Sequence, residues 1–344
     1  MNHAGNSASR YRNASLLSVT HIEAPVRVPS SHFEEQLAQT RTRLRLPDNL
    51  LERVSGVVER RWWEPGTRFD DAAIEAGAKA LAEAGVDAHD VGLLINTSVT
   101  RTQLEPSVAS RIHHGLGLPS SAMNFDIANA CLGFVNGIML AATLIDSGQI
   151  DYAVIVNSED AQGTQETTIR RLNRPESTRQ DFHREFASLT LGSGAAAAVI
   201  GRADQHPGGH RVVGGVSRAG TEHHELCVGG LDGMFTDTKG LLQGGLALVE
   251  AAWHEANNGT GFRWNNMDRY VTHQISTPYT EAVIQALDLP ADRVPITFSH
   301  WGNVGPASLP MTLAAQADSL SPGDRVLCLG VGSGLNTAML ELTW

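Results

Sequence analysis

A chain of 344 residues with 42% hydrophobic and 18% charged side chains describes a soluble globular protein with ample core, either one large domain or two halves sharing an interface. The formal net charge of −11 argues against general affinity for nucleic acid or anionic membranes and leaves only a local basic patch to meet a phosphate-bearing ligand. Three scattered cysteines, Cys131, Cys227 and Cys328, form no CxxC pair, which speaks against a disulfide scaffold or structural zinc site and fits a reducing, cytoplasmic setting. The first 18 residues lack the apolar core of a signal peptide, and apolar runs such as 138–142 and 195–200 are too short to span a bilayer.

In chain order, residues 1–16 read as a disordered leader, 17–21 as a first strand and 32–45 as a helix. Residues 72–84 form an Ala-rich helix stopped by Gly85, and 91–98 (VGLLINTS) have the largely apolar character of a buried parallel strand. Residues 106–116 read as helix, 122–128 as extended, 131–147 as helix and 151–157 (DYAVIVN) as another buried strand. From 159 to 185 the chain is polar and Arg-rich and reads as a helical excursion over the surface, after which 189–200 return to sheet-like sequence. Further helices are expected at 241–256, 280–287 and 303–317, and strands at 269–275, 325–329 and 336–342. Strands and helices alternating in this way indicate α/β layers.

A faint internal repeat runs through these elements. A helix opening at Cys131 leads through Ser147-Gly148-Gln149 into a strand, and a helix near Asn303 leads through Ser321-Pro322-Gly323 into another. Twenty positions separate Cys131 from Asp151, and 21 separate Asn303 from Asp324. Two such halves would each aim a central helix at a shared site, with Cys131 and Asn303 facing each other.

Cys131 ends an extended stretch and opens a helical one. At a helix start the unpaired N–H groups and the macrodipole favour thiolate, the nucleophilic form, although a cysteine there is equally a small buried hydrophobe. Of 14 histidines, His273 is best placed as a partner, because it closes a strand-like run and ligands bind at strand ends in α/β folds; His300 competes. Asn303 would be an N-cap or an amide donor to an oxyanion. Gly330-Val331-Gly332-Ser333-Gly334 imitates half a dinucleotide fingerprint, but a strand follows where a helix is required, so the run is read as a turn able to present backbone N–H groups.

In chain order, the stretches 92–99, 104–107 (LEPS), 126–132 (DIANACL), 272–276 (THQIS), 302–308 (GNVGPAS) and 330–336 (GVGSGLN) resemble a known family. They are similar to thiolase-superfamily condensing enzymes of the ketoacyl synthase III type, and most closely to the OleA enzymes that join two fatty acyl chains. The resemblance covers residues 17–344. It implies a thiolase fold, α/β, with two pseudo-repeated halves forming a five-layered αβαβα core. The halves would be 17–205, carrying the helical excursion at about 159–188, and 206–344, after a leader at 1–16.

The resemblance further implies Cys131, His273 and Asn303 as the catalytic triad, with Glu105 entering the active site of a neighbouring subunit in a homodimer. Joining two unactivated acyl thioesters requires a base to remove an α-proton, whereas decarboxylation of a malonyl group does not, so Glu105 is the expected base. Oxyanion contacts would come from the backbone N–H groups of Cys131 and Ser333. The implied substrates are acyl-CoA thioesters, or acyl carrier protein thioesters, feeding downstream pathway enzymes of olefin or β-lactone lipid biosynthesis, with no cofactor or metal. Phe134, Ile138 and Met139 are candidates for an acyl channel, with ordinary core the stronger reading. Arg60, Arg61, Arg170, Arg171 and Arg174 are candidates for CoA phosphates, with a solvated surface role the stronger reading for each, so none is assigned. Two alternatives fit the same residues: a decarboxylative synthase III extending malonyl-ACP, and one chain of a heteromeric β-lactone-pathway synthase.

Overall fold

The computed structural model describes residues 7–230 and 233–344. Its centre is a run of ten strands that divides into two similar sets. From the outer edge inward, the first set is Met123–Asp126, Leu93–Asn96, Tyr152–Glu159, Gly194–Arg202 and Ala14–Glu23. The second is Arg269–Thr272, Arg325–Gly332, Asn336–Thr343 and His210–Ala219, with Ala8–Arg10 added beside His210–Ala219. The sets join through two residue pairs, Ser15 with Arg211 and Leu16 with His210. In each set the outer strands are parallel and the inner ones antiparallel, so the repeat seen in sequence is a repeat of topology.

The alternation of side chains along each strand explains the layers. Leu93 and Ile95 face one way and Leu94 the other, as do Ala153 and Ile155 against Val154 and Val156. One face packs on helices Phe69–Ala84 and Val108–Gly115 through Ala73, Ala76, Ala80 and Ile112. The other face packs on Gly133–Asp146 and Ser308–Gln316 through Phe134, Ile138, Leu309 and Met311. Val326 and Cys328 of the second set meet that same central helix layer, while Leu327 and Leu329 face helices Thr238–Glu255 and Thr277–Leu287. Helix, sheet, helix, sheet, helix therefore follow one another. Strands covered on both faces need apolar residues at every position, the pattern legible in VGLLINTS and DYAVIVN. Each fully buried Leu, Ile or Phe here contributes about 1.5–3 kcal/mol relative to exposure.

Several expectations change. The leader expected at 1–16 is built into the sheet over its described part, as Ala8–Arg10 pairs with residues 214–216 and Ala14 already belongs to a strand; residues 1–6 lie outside the described residues. The single helix expected at 32–45 is two, Ser30–Gln36 and Ala38–Leu44, meeting at Leu37. The polar stretch at 159–185 does form helices, Gln162–Leu172 and Arg179–Glu185, but it is more than a surface excursion. Its Ile169, Leu172 and Phe182 build a separate apolar cluster with Val28, Phe33, Leu37 and Leu51. Among the elements that went unread are strand His210–Ala219, whose glycines interrupt its apolar run, helix Leu50–Ser55, and the antiparallel pairs Val26–Pro29 with Glu59–Trp62 and Cys227–Gly230 with Gly233–Thr236.

Candidate active site

The carboxyl ends of the parallel strands of both sets open onto one cavity of ≈ 1780 Å³. It exceeds the volume that an ordinary drug-sized ligand requires. Cys131, His273, Asn303 and Ser333 all line it, so the expected triad and turn meet in one chain. Glu105 does not line it: it is exposed, next to Leu104, which is 86% exposed. His300, the competing histidine, is exposed and absent from the cavity wall.

Cys131 sits in a short 3-10 turn, Ala130–Leu132, directly before helix Gly133–Asp146. The turn is entered through Ala130 with φ 43°, a left-handed conformation that costs a non-glycine residue about 1 kcal/mol. The end of strand Arg325–Gly332 closes over this turn. A Cβ on Gly332 would lie 3.3 Å from the Leu132 nitrogen and 3.4 Å from the Cys131 nitrogen, so only glycine lets the two backbones approach without displacement. The GVGSG run is thus a hairpin turn pressed against Cys131, not a nucleotide-binding turn.

The helix terminus does not control the thiol. Burial pushes Cys131 up to about 12, helped by the neighbouring Cys227 and Glu159 and opposed by its own backbone N–H. That displacement is on the order of 4 kcal/mol, against at most about 2 kcal/mol from a helix N-terminus. The residue is half-buried and lines the cavity. The resting group is a thiol, contrary to the thiolate expected from the helix start.

His273 directly follows strand Arg269–Thr272, and its backbone N–H donates to Leu329 O at 2.8 Å. It is 2% exposed, and its Nδ1 has no hydrogen-bond partner among the described residues. Without a carboxylate to support a positive charge, burial pushes the imidazole down to about 4. It is neutral at physiological pH.

Asn303 is not the N-cap of the following helix, which begins at Ser308. Gly302, at φ 72°, turns the chain so that Asn303 N–H donates to Thr190 O at 2.9 Å and Asn303 O accepts from Gly192 N–H at 2.9 Å. Its side-chain oxygen accepts from Gly305 N–H at 3.0 Å and from the Ser308 hydroxyl at 3.4 Å. With the oxygen occupied, the amide presents its NH2 donors to the cavity it lines.

Sequence reasoning missed Glu159, the last residue of strand Tyr152–Glu159 and part of the cavity wall. It is 7% exposed, and burial raises its pKa, opposed by hydrogen bonds from Thr100, Val99 and Asn157. Its one sequence signal is a carboxylate closing an apolar strand. Phe134 and Ile138, for which ordinary core is the stronger reading over a channel wall, are fully buried in the central layer, and Met139 packs against it; none is among the residues lining the cavity. Of the arginines considered for phosphate contact, Arg60 is wholly buried over the Phe33 ring and burial lowers it to about 9. Arg61 is held by Glu23 and Glu59, and Arg171 by Glu185. The cations that line the cavity are instead Arg101, Arg184 and Lys239.

Residues 65–200 match the family described as "Thiolase, N-terminal domain", and residues 258–344 the family described as "3-Oxoacyl-[acyl-carrier-protein (ACP)] synthase III C terminal". Among individual relatives, the beta-ketoacyl-[acyl-carrier-protein] synthase III of Geobacillus kaustophilus is 26% identical over 86% of this chain and 90% of its own. These matches and the five-layered fold place the chain among the ketoacyl synthase III-like condensing enzymes of the thiolase superfamily, which are acyltransferases. The acyl-CoA:acyl-CoA alkyltransferase of Xanthomonas campestris is nearer, 41% identical over 97% of this chain and 99% of its own. A crystal structure of that enzyme, X. campestris OleA, in a Cys-to-Ser variant with bound lauric acid and lauroyl-CoA, superposes with a TM-score of 0.94, covering 97% of this chain and all of the other. The chain belongs to the OleA family.

Proposed function

We propose that this enzyme carries out a non-decarboxylative Claisen condensation of two fatty acyl-CoA thioesters, releasing a long-chain β-keto acid. The reading rests on one observation above others: a single large cavity lined by Cys131, His273, Asn303 and Ser333 in a chain of the OleA family. The lauroyl-CoA bound to the X. campestris enzyme supports the acyl-CoA substrate class.

In the first half-reaction the Cys131 sulfur attacks the thioester carbonyl of one acyl-CoA. Because Cys131 starts as a thiol, its proton must leave as the C–S bond forms, and the neutral His273 imidazole is the acceptor in the same cavity. His273 then returns that proton to the departing CoA thiolate and is neutral again, leaving an acyl-Cys131 thioester. The backbone N–H groups of Cys131 and Ser333 hold the transient oxyanion.

In the second half-reaction the thioester oxygen of another acyl-CoA lies against the His273 ring and the Asn303 NH2 group. Glu105, supplied by the partner subunit of a homodimer, removes the α-proton and the enolate charge falls on those two donors. The α-carbon attacks the acyl-Cys131 carbonyl, the C–S bond breaks, and the departing Cys131 sulfur takes up the proton that Glu105 removed, restoring both groups. Hydrolysis of the β-ketoacyl-CoA gives the acid. The surfaces of Leu50, Val54, Phe186 and Leu242 offer the cavity apolar walls for the acyl chains.

The test is purified enzyme with long-chain acyl-CoA alone, following free CoA and condensed β-keto acid or its ketone by mass spectrometry. Condensation by wild type, acyl transfer without condensation by Glu105→Ala, and neither by Cys131→Ala are the expected results. Condensation only after malonyl-ACP is added would overturn the reading in favour of a decarboxylative synthase, and activity only with a second, related chain would make the enzyme heteromeric.

A further inference from the structure

Glu105 stands on a loop held by a carboxylate at each foot. At the near foot, Glu159 accepts from Val99 N–H at 2.7 Å, from Thr100 N–H at 2.9 Å and from the Thr100 hydroxyl at 2.6 Å. No cation lies within ion-pair distance of Glu159 among the described residues, so the loop's own donors are what satisfy this buried carboxyl group. Lifting the loop would leave the Glu159 oxygens buried without those three donors, a cost that keeps the foot docked. At the far foot, Asp126 accepts from Val108 N–H at 3.0 Å and Ala109 N–H at 2.9 Å, capping helix Val108–Gly115, and Arg101 lies 3.6 Å from the same carboxylate. Both anchors end strands of the sheet, Tyr152–Glu159 and Met123–Asp126. Between them residues 102–106 are all exposed.

We propose that Glu159 is a positioning residue for the general base: it fixes the near foot of the 99–107 loop, with Asp126 at the far foot, so that Glu105 is held in place for the partner subunit's cavity. This rests on the reading that Glu105 acts across a homodimer. Glu159 therefore serves the opposite active site from the one whose wall it forms. Proton abstraction requires the base within hydrogen-bond reach of the α-carbon, and a displacement of about 1 Å at such a group costs on the order of 10²-fold in rate.

Glu159→Gln keeps the shape of the side chain but turns an NH2 group toward the Val99 or Thr100 N–H. Glu159 also raises the Cys131 thiol from the wall of the cavity they share, so the Gln homodimer should acylate Cys131 no more slowly than wild type, while condensation falls by about 10²-fold. The deciding experiment uses mixed dimers purified through two different affinity tags. In a dimer of one Cys131→Ala chain and one Glu159→Gln chain, the intact Cys131 is served by the undisturbed loop of the Cys131→Ala chain. Condensation should return to about half of wild type per dimer, as one of two sites works. A role of Glu159 in its own cavity gives no recovery and overturns the proposal, as does loss of acylation in the Glu159→Gln homodimer.

A parallel dimer of Cys131→Ala with Glu105→Ala separates the two layers of the argument. If it fails to recover, the base does not cross the interface and both readings fall. If it recovers while the Glu159→Gln pair does not, only the positioning role falls. Should Glu159→Gln not fold, Thr100→Val removes one of the three donors and is expected to show the same pattern with a smaller loss.

Discussion

Cys131, His273 and Asn303 are enclosed at the carboxyl ends of strands from both halves of one chain, whereas Glu105 stands on a loop whose tip, residues 102–106, is exposed. The first region is complete in a single subunit, and burial sets its electrostatics: the thiol is pushed up, the imidazole down, and both are neutral before substrate arrives. The second region has its backbone pinned by Glu159 and Asp126 but leaves the Glu105 carboxylate outside the cavity. The contrast divides the chemistry. On the proposed mechanism, acyl transfer to Cys131 belongs to the enclosed region and condensation needs both regions.

The largest effect expected from breaking that division is at the nucleophile. Cys131→Ala should lower both acyl transfer and condensation by at least about 10⁴-fold, because no covalent intermediate can form, and stopped acyl-CoA consumption is the measurement. Glu105→Ala should lower condensation by about 10²–10⁴-fold while leaving acyl-enzyme formation detectable by intact mass. Equal loss of both half-reactions would show that the regions are not separable. Asn303→Ala removes one enolate donor and should lower condensation by about 10²–10³-fold, with the acylation rate much less affected.

Two measurements sharpen the electrostatic side. Between its unfolded pKa of 6.5 and its folded value of about 4, His273 takes up a proton only in the unfolded chain. Folding stability from this group is therefore undiminished above pH 6.5 and falls as pH drops toward 4, by about 3 kcal/mol in total, which denaturant titrations of wild type and His273→Gln across that range would read as a difference in slope. Alkylation of Cys131 by iodoacetamide should rise about tenfold per pH unit from pH 7 to 10 with no plateau, since the thiolate is the reactive form. A plateau near neutral pH would mean that the helix terminus outweighs burial after all.

Much of this fold was legible because local pattern reports local environment. The runs at 91–98 and 151–157 had to be strands covered on both faces, and Gly85, now at φ 64°, had to end the helix before it. The spacing that made Cys131 and Asn303 look equivalent follows from two halves sharing one topology. Pattern failed where packing between distant segments decides the outcome. Arg60 reads as a solvated surface residue, and only packing over the Phe33 ring buries it completely. Ala8–Arg10 is polar enough to look like a leader and is ordered by pairing with a strand 200 residues away. Glu159 looked like the first residue of a polar stretch, because its donors come from a loop 60 positions earlier.

By itself, the sequence determined the α/β layering, the doubled architecture and the residue types available for covalent chemistry, since side-chain period, glycine placement and helix or strand propensity are properties of neighbouring residues. Only the tertiary structure decided that Cys131 rests as a thiol and His273 as a neutral ring, that the Asn303 oxygen is spent so its NH2 is free, and that Glu105 lies outside its own chain's cavity. Desolvation and hydrogen-bond satisfaction depend on everything packed around a group, and at this site nearly all of that comes from remote parts of the chain.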